Sequence, residues 1–159
     1  MKPLFNLKAV SKHIEDGTLI FEEYAEDINH KDTNGDNLLL KYFKSTAKVD
    51  PAIVKHICTR PEFKIDSENN QGLTPMLIAA TYALPLQVFE TMIVDGRANV
   101  NYINRNGCSV IYLYCQFNKI LDPSVLKLFL RHGFWPGHLP DEEFMRIAEP
   151  ICEVILEQK

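Results

Sequence analysis

Apolar residues recur along this chain in short blocks at helical spacing, divided by polar stretches that end in glycine. Three blocks consist of apolar pairs four positions apart: Ile53-Val54 with Ile57-Cys58, Val88-Phe89 with Met92-Ile93, and Val125-Leu126 with Phe129-Leu130. That spacing places one apolar stripe on an amphipathic helix. Asp50-Pro51 and Asp122-Pro123 read as an N-cap followed by a first-turn proline, while Leu84-Pro85 supplies the proline alone. Pro61, Gly96 and Gly133 follow the three helices as stop signals.

A second set of apolar runs precedes these. Leu38-Leu39-Leu40 follows Asn37, Met76-Leu77-Ile78-Ala79-Ala80 follows Thr74-Pro75, and Val110-Ile111-Tyr112-Leu113 follows Ser109. Asn, Thr and Ser share one capping chemistry, because each side-chain oxygen accepts from a free backbone N–H of the first helical turn. Pro75 sits where a missing N–H costs nothing. Ala79 and Ala80 allow close approach of a neighbouring helix. Glycines 35, 72 and 107 fall 37 and 35 residues apart. Ile28-Asn29, Ile65-Asp66 and Val100-Asn101 each end six residues before one of them. Coincident features at a near-constant period mark an internal repeat.

The unit resembles an ankyrin repeat: a turn, a helix opening T-P-L-H-x-A and a second helix, at a period of about 33 residues. Thr74-Pro75-Met76-Leu77-Ile78-Ala79 matches that opening with Leu77 in place of the histidine. Lys127-Leu128-Phe129-Leu130-Arg131-His132-Gly133 is similar to the family's second-helix ending, and the stretch from Asp95 to Asn101 to its linker, with Arg97 as an extra residue. Two departures stand out. The two-alanine site becomes Tyr42-Phe43 and Tyr114-Cys115, and those repeats carry about three more residues between their helices, which implies wider local helix spacing.

The resemblance implies an all-α fold, an ankyrin-repeat solenoid of stacked antiparallel helix pairs with β-turn fingers. A single domain is expected, with an N-terminal cap at 1–27, repeats at 28–64, 65–99 and 100–134, and C-terminal cap helices at 135–159. End repeats need a polar outer face and so depart from the pattern.

Composition narrows the class of protein. The 46% apolar and 24% charged content is ordinary for a globular chain, and net charge is −4. No dense Lys/Arg cluster suggests a nucleic-acid partner. The amino terminus lacks the apolar core of a signal peptide, and the apolar region from Pro75 to Leu86 is too short to span a bilayer. Cys58, Cys108, Cys115 and Cys152 form no C-x-x-C pair, so buried reduced thiols in the cytoplasm are expected.

No phosphate loop, nucleophile elbow or zinc-protease motif occurs, and the five histidines are scattered. Neither catalysis, nor a cofactor, nor a metal site is expected. Stacked repeats instead leave an extended concave face of finger tips and first-helix surfaces. Ankyrin binders place contacts beside the turn glycine and at the exposed end of the first helix. By that resemblance the candidate partner-binding residues are Asp36, Asn70, Leu73, Thr81, Tyr82, Ile103, Arg105, Asn106, Gln116 and Phe117. Aromatic residues and Arg dominate interface energetics, which points to the surface from the second to the third repeat.

The expected function is therefore non-catalytic protein–protein interaction by a chain that is monomeric alone. The longer connections and the excess of Lys over Arg, 12 against 5, resemble divergent ankyrin proteins of intracellular bacterial pathogens and poxviruses. That likeness implies a secreted effector, or a regulator of another effector, in the host cytosol. Leu139-Pro140-Asp141-Glu142-Glu143 resembles the L-P-x-E opening of F-box segments and implies an alternative, a ubiquitin-ligase substrate adaptor.

Overall fold

A computed structural model describes residues 27–45, 48–118 and 121–134. The expected caps at 1–27 and 135–159, with the segment from Leu139 to Glu143, lie outside the described residues apart from Asp27. Six helices occur among those described: α1 (Leu38–Ser45), α2 (Pro51–Cys58), α3 (Pro75–Thr81), α4 (Leu86–Val94), α5 (Val110–Phe117) and α6 (Pro123–Arg131). They form two layers. In the inner layer α3 packs between α1 and α5; in the outer layer α4 packs between α2 and α6. One continuous apolar core runs between the layers.

The inner helices start where the capping chemistry places them. Asn37 Oδ1 accepts from the Leu40 N–H at 3.0 Å, Thr74 Oγ1 from Leu77 at 3.3 Å and Ser109 Oγ from Tyr112 at 3.2 Å. In the outer layer the Asp50 and Asp122 carboxylates cap α2 and α6 by accepting from Ala52 and Ser124, both at 2.9 Å. The start of α4 differs from expectation, because Pro85 is its N-cap residue rather than its first-turn residue and makes no side-chain cap. The connection into α4 is the short one. It turns through Ala83 at φ 53°, and the Leu84 N–H bonds back to Ala79 O at 3.0 Å.

The two longer connections are held differently. Tyr42 and Tyr114 are buried where α3 has Ala79, and their hydroxyls accept from the backbone N–H groups of Asp50 at 2.9 Å and Asp122 at 3.0 Å. The Tyr114 ring lies between the layers, edge-on to Phe89 and Phe129 at centroid distances of 6.0 and 6.3 Å. The bulky residue and the longer connection are one device. The ring fills the interlayer space, and the phenol anchors the first residue of the next helix start.

Candidate functional site

Between the helix pairs the chain forms fingers on a common plan. Asp32, Asn69 and Asn104 stand three residues before the turn glycines. Each Oδ1 accepts from the N–H groups two and four residues on, at 2.8 to 3.0 Å. These are Asx turns, in which a side chain stands in for backbone. The glycine N–H groups then close on the carbonyls of the same residues at 2.9, 3.0 and 2.9 Å, with φ of 76° at Gly35 and 80° at Gly72 and Gly107. That region suits glycine.

Neighbouring fingers are stitched together at their tips. The Asn70 N–H donates to Asn34 O and its Nδ2 to Thr33 O, both at 3.0 Å. One repeat further on, Asn104 Nδ2 donates to Gly72 O at 2.6 Å and Asn106 Nδ2 to Gln71 O at 3.2 Å. The Arg105 guanidinium donates to the carbonyls of Asn69 and Asn70. Glu68 accepts from the Tyr102 hydroxyl and, at 3.3 Å, from the Arg105 N–H. The fingers have matching ties at their feet. Asn29 bonds the backbone of Glu62 and Lys64, Asp66 accepts from the Asn99 N–H at 3.1 Å, and Asn101 donates to Gly133 O at 2.9 Å.

The ten candidate residues fall into two exposed zones and a buried remainder. Tyr82 and Phe117 close the inner helices α3 and α5 and are 51% and 56% exposed. Asn118 Nδ2 bonds Ala80 O at 3.0 Å and Tyr114 O at 2.7 Å, so these two helix ends are adjacent. Gln116 is exposed beside Phe117; Thr81 is half-buried, and its hydroxyl donates to Leu77 O at 2.9 Å. The second zone is the finger ridge. Asn70, Arg105 and Asn106 are exposed there but engaged in the finger ties, and Ile103 forms an isolated antiparallel bridge with Ser109.

Two expectations need correction. Asp36 is only 1% exposed: its carboxylate accepts from Lys44 Nζ at 3.0 Å and from Asn69 Nδ2 at 2.8 Å, so it is a finger-to-helix support rather than a surface contact. Leu73 is half-buried and packs against the core instead of standing out from it. Sequence reasoning missed the Asx residues Asp32, Asn69 and Asn104. Their signal was present, an Asn or Asp three residues before every turn glycine.

The chemistry of the described residues is quiet. Burial pushes the Cys58 thiol up to about 12, reinforced by the nearby Asp95 carboxylate, and burial pushes Cys115 up to about 11. Both stay protonated at neutral pH and are poor nucleophiles. Burial, together with the Glu68 carboxylate that its hydroxyl faces, pushes Tyr102 up to about 12. Among the described residues no group of three or more His, Cys, Asp or Glu could hold a metal ion, and no helix is long and apolar enough to cross a membrane. An open groove of about 860 Å³ is lined by Pro61 to Ser67, Gly96 and Arg97, with Arg97 at φ 60° and its guanidinium on Pro61 O. None of the ten candidate residues lines it.

The sequence matches no described protein family and no curated protein. Among solved structures it is similar to an ankyrin repeat domain from Acinetobacter baumannii AYE, with a TM-score of 0.58 and 18% identity, covering 93% of this chain and 78% of that one. At that identity the likeness concerns architecture. Taken with the repeated fingers and the two-layered helix pairs, it establishes that this chain has the ankyrin-repeat fold.

Proposed function

We propose that the chain is a non-catalytic protein-binding module, and that its partner docks on the concave side across the ends of α3 and α5. The observation that carries this reading is the pair Tyr82 and Phe117. Two large aromatic side chains stand more than half exposed at equivalent places on adjacent inner helices, while the helices beneath them are buried. Exposed apolar groups in register favour a partner, and aromatic anchors are where interface energy concentrates. Thr81, Gln116 and Ile103 flank the pair in this reading, and Asn70, Arg105 and Asn106 form a polar rim.

In the same reading the repeats at 28–64, 65–99 and 100–134, with caps at 1–27 and 135–159, form one monomeric domain in the cytoplasm, with neither nucleic acid nor cofactor. The resemblance to ankyrin proteins of intracellular pathogens and poxviruses supports a role as an effector, or a regulator of one, in host cytosol. The adaptor alternative rests on residues 139–143 and would require co-purification with the adaptor subunit of an SCF-type ligase.

The test is quantitative affinity purification with the wild-type chain and with Tyr82→Ala/Phe117→Ala. Loss of the specific partner by the double variant, with an unchanged helical circular dichroism spectrum, is the expected result. Equal capture by both chains would sink the proposed surface.

A further inference from the structure

The feet of the three fingers are built alike except in one place. Asp27 stands two residues before Asn29, and Asn99 two residues before Asn101. In both cases the side-chain oxygen accepts from the N–H of the foot residue at 2.9 Å. Lys64 holds the equivalent place before Asp66, and an ammonium group has no acceptor to offer. Among the described residues the Asp66 N–H therefore meets no acceptor. Asp27 and Asn99 show what such a donor takes when it is met: the oxygen of a short carboxylate or amide side chain.

Asp66 lines the open groove of about 860 Å³, together with Lys64 and Arg97. Both cations are exposed, and among the described residues neither forms an ion pair with a carboxylate. Arg97 donates to Pro61 O at 3.0 Å, which leaves the rest of its guanidinium unengaged. It is also the extra residue of its linker, held at φ 60°, a conformation that costs any residue with a Cβ. The two acids of the groove leave these charges uncompensated. The Asp66 carboxylate accepts from the Asn99 N–H at 3.1 Å, and Glu62 is exposed without an ion pair. Phe63 and Ile65 add apolar lining.

We infer that this groove is a second docking site, for a segment of a partner protein that carries an aspartate. The partner's carboxylate accepts from the Asp66 N–H, as Asp27 does from Asn29, and its charge faces Lys64 and Arg97. An aspartate is favoured over an asparagine because a charged acceptor makes the stronger bond and is attracted by both cations. A peptide segment is favoured over a free anion because the groove follows seven consecutive residues, Pro61 to Ser67, and its apolar lining gives a chain something to cover. The site is separate from the face at Tyr82 and Phe117, neither of which lines it.

The test is a titration of the isotope-labelled chain followed through its amide NMR signals. The probe is a blocked heptapeptide of alanines with one central aspartate; its asparagine counterpart and sodium acetate are the controls. Expected are saturable shifts at Asp66 and Ser67 with the aspartate peptide, and affinity about threefold or more weaker for either control. Arg97→Gln should weaken binding roughly threefold. Lys64→Gln and Lys64→Asn remove the same charge, but only asparagine is short enough to cap the Asp66 N–H from within, as Asn99 caps Asn101. Binding to Lys64→Asn should therefore fall about tenfold or more below binding to Lys64→Gln. Tyr82→Ala/Phe117→Ala should leave it unchanged. Acetate binding as tightly as the aspartate peptide would reduce the groove to a bare anion site and overturn the inference. So would equal binding of the asparagine peptide, equal losses with the two Lys64 variants, or no saturable shift at Asp66. Each of these outcomes leaves the face at Tyr82 and Phe117 to its own test.

Discussion

The hydroxyl of Tyr114 accepts a hydrogen bond from the backbone N–H of Asp122 at 3.0 Å, eight residues away, and Tyr42 stands in the same relation to Asp50. Tyr114→Phe should keep the ring against Phe89 and Phe129 yet leave the Asp122 N–H without its partner. A buried donor left unmade costs about 1–3 kcal/mol, and this one is part-buried, so about 1 kcal/mol is expected. Tyr114→Ala also removes the ring and should cost about 3–5 kcal/mol. Urea denaturation of the two variants separates hydroxyl from ring; a Tyr114→Phe chain as stable as wild type would show that the hydroxyl contributes nothing.

Asn37 caps α1 through its oxygen, but its Nδ2 is buried without a hydrogen-bond partner. Thr74 and Ser109 do the same work with a hydroxyl. Asn37→Thr should retain the cap and remove the orphaned donor, raising stability by about 1 kcal/mol. Asn37→Ala, which loses the cap, should lower it by about as much. Thermal unfolding of both variants gives the signs, and a destabilised Asn37→Thr would refute the argument.

The turn glycines offer a matched comparison. A Cβ at Gly35 would lie 2.8 Å from the Asn70 backbone N and 2.6 Å from its Oδ1, whereas one at Gly107 would meet nothing within 4 Å. Alanine at either site carries the left-handed penalty of about 1–2 kcal/mol. Only Gly35→Ala also pushes two fingers apart, so it should be the more destabilising by a further 1 kcal/mol or so. Chemical denaturation of the two single variants is sufficient; equal effects would mean that finger contact carries no energy.

Tyr102 supplies a test in alkaline solution. Its folded pKa is raised to about 12 by burial and by Glu68, above the ordinary 10. The folded state therefore holds the phenolic proton more tightly than the unfolded chain. Its contribution to stability is complete below pH 10 and is lost as pH rises through about 12. Tyr102→Phe should flatten the stability–pH curve in that window relative to wild type. Parallel curves for the two chains would remove the Tyr102–Glu68 contact from the account.

Asp36 and Tyr82 are both candidate contacts by sequence position, yet their effects on stability should differ. Asp36→Ala strands Asn69 Nδ2 in a buried position and should cost about 1–3 kcal/mol. Tyr82→Ala, at a site 51% exposed, should leave the unfolding midpoint nearly unchanged. Unfolding curves for the two variants decide whether their roles differ; a loss at Tyr82 as large as that at Asp36 would mean that its ring supports the fold.

What could be read in advance followed from local chemistry. Asn37, Thr74, Ser109, Asp50 and Asp122 act within their own helical turn, so residue type and position announce the cap. Asp36 sits beside a turn glycine, where ankyrin binders place contacts, and the partners that bury it instead lie 8 and 33 residues away. The Tyr42 and Tyr114 hydrogen bonds were hidden for a similar reason: a bulky residue at a small-residue site looks like a departure until its partner across the connection is known. Leu73 also lies beside a turn glycine, but its burial is settled by the core it packs against. The exposure of Tyr82 and Phe117 was a matter of the same kind, decided by geometry at the helix ends.

The ties at the feet of the fingers from Asn29, Asp66 and Asn101 reach only 32 to 35 residues ahead, from one unit into the next. Nothing in that pattern joins units two apart, so cooperativity passes along the array from neighbour to neighbour. The chain should then open like a stack rather than a globule. Amides of α3 and α4, supported on both sides, would exchange last, and damage to one unit would be felt less with each unit of distance.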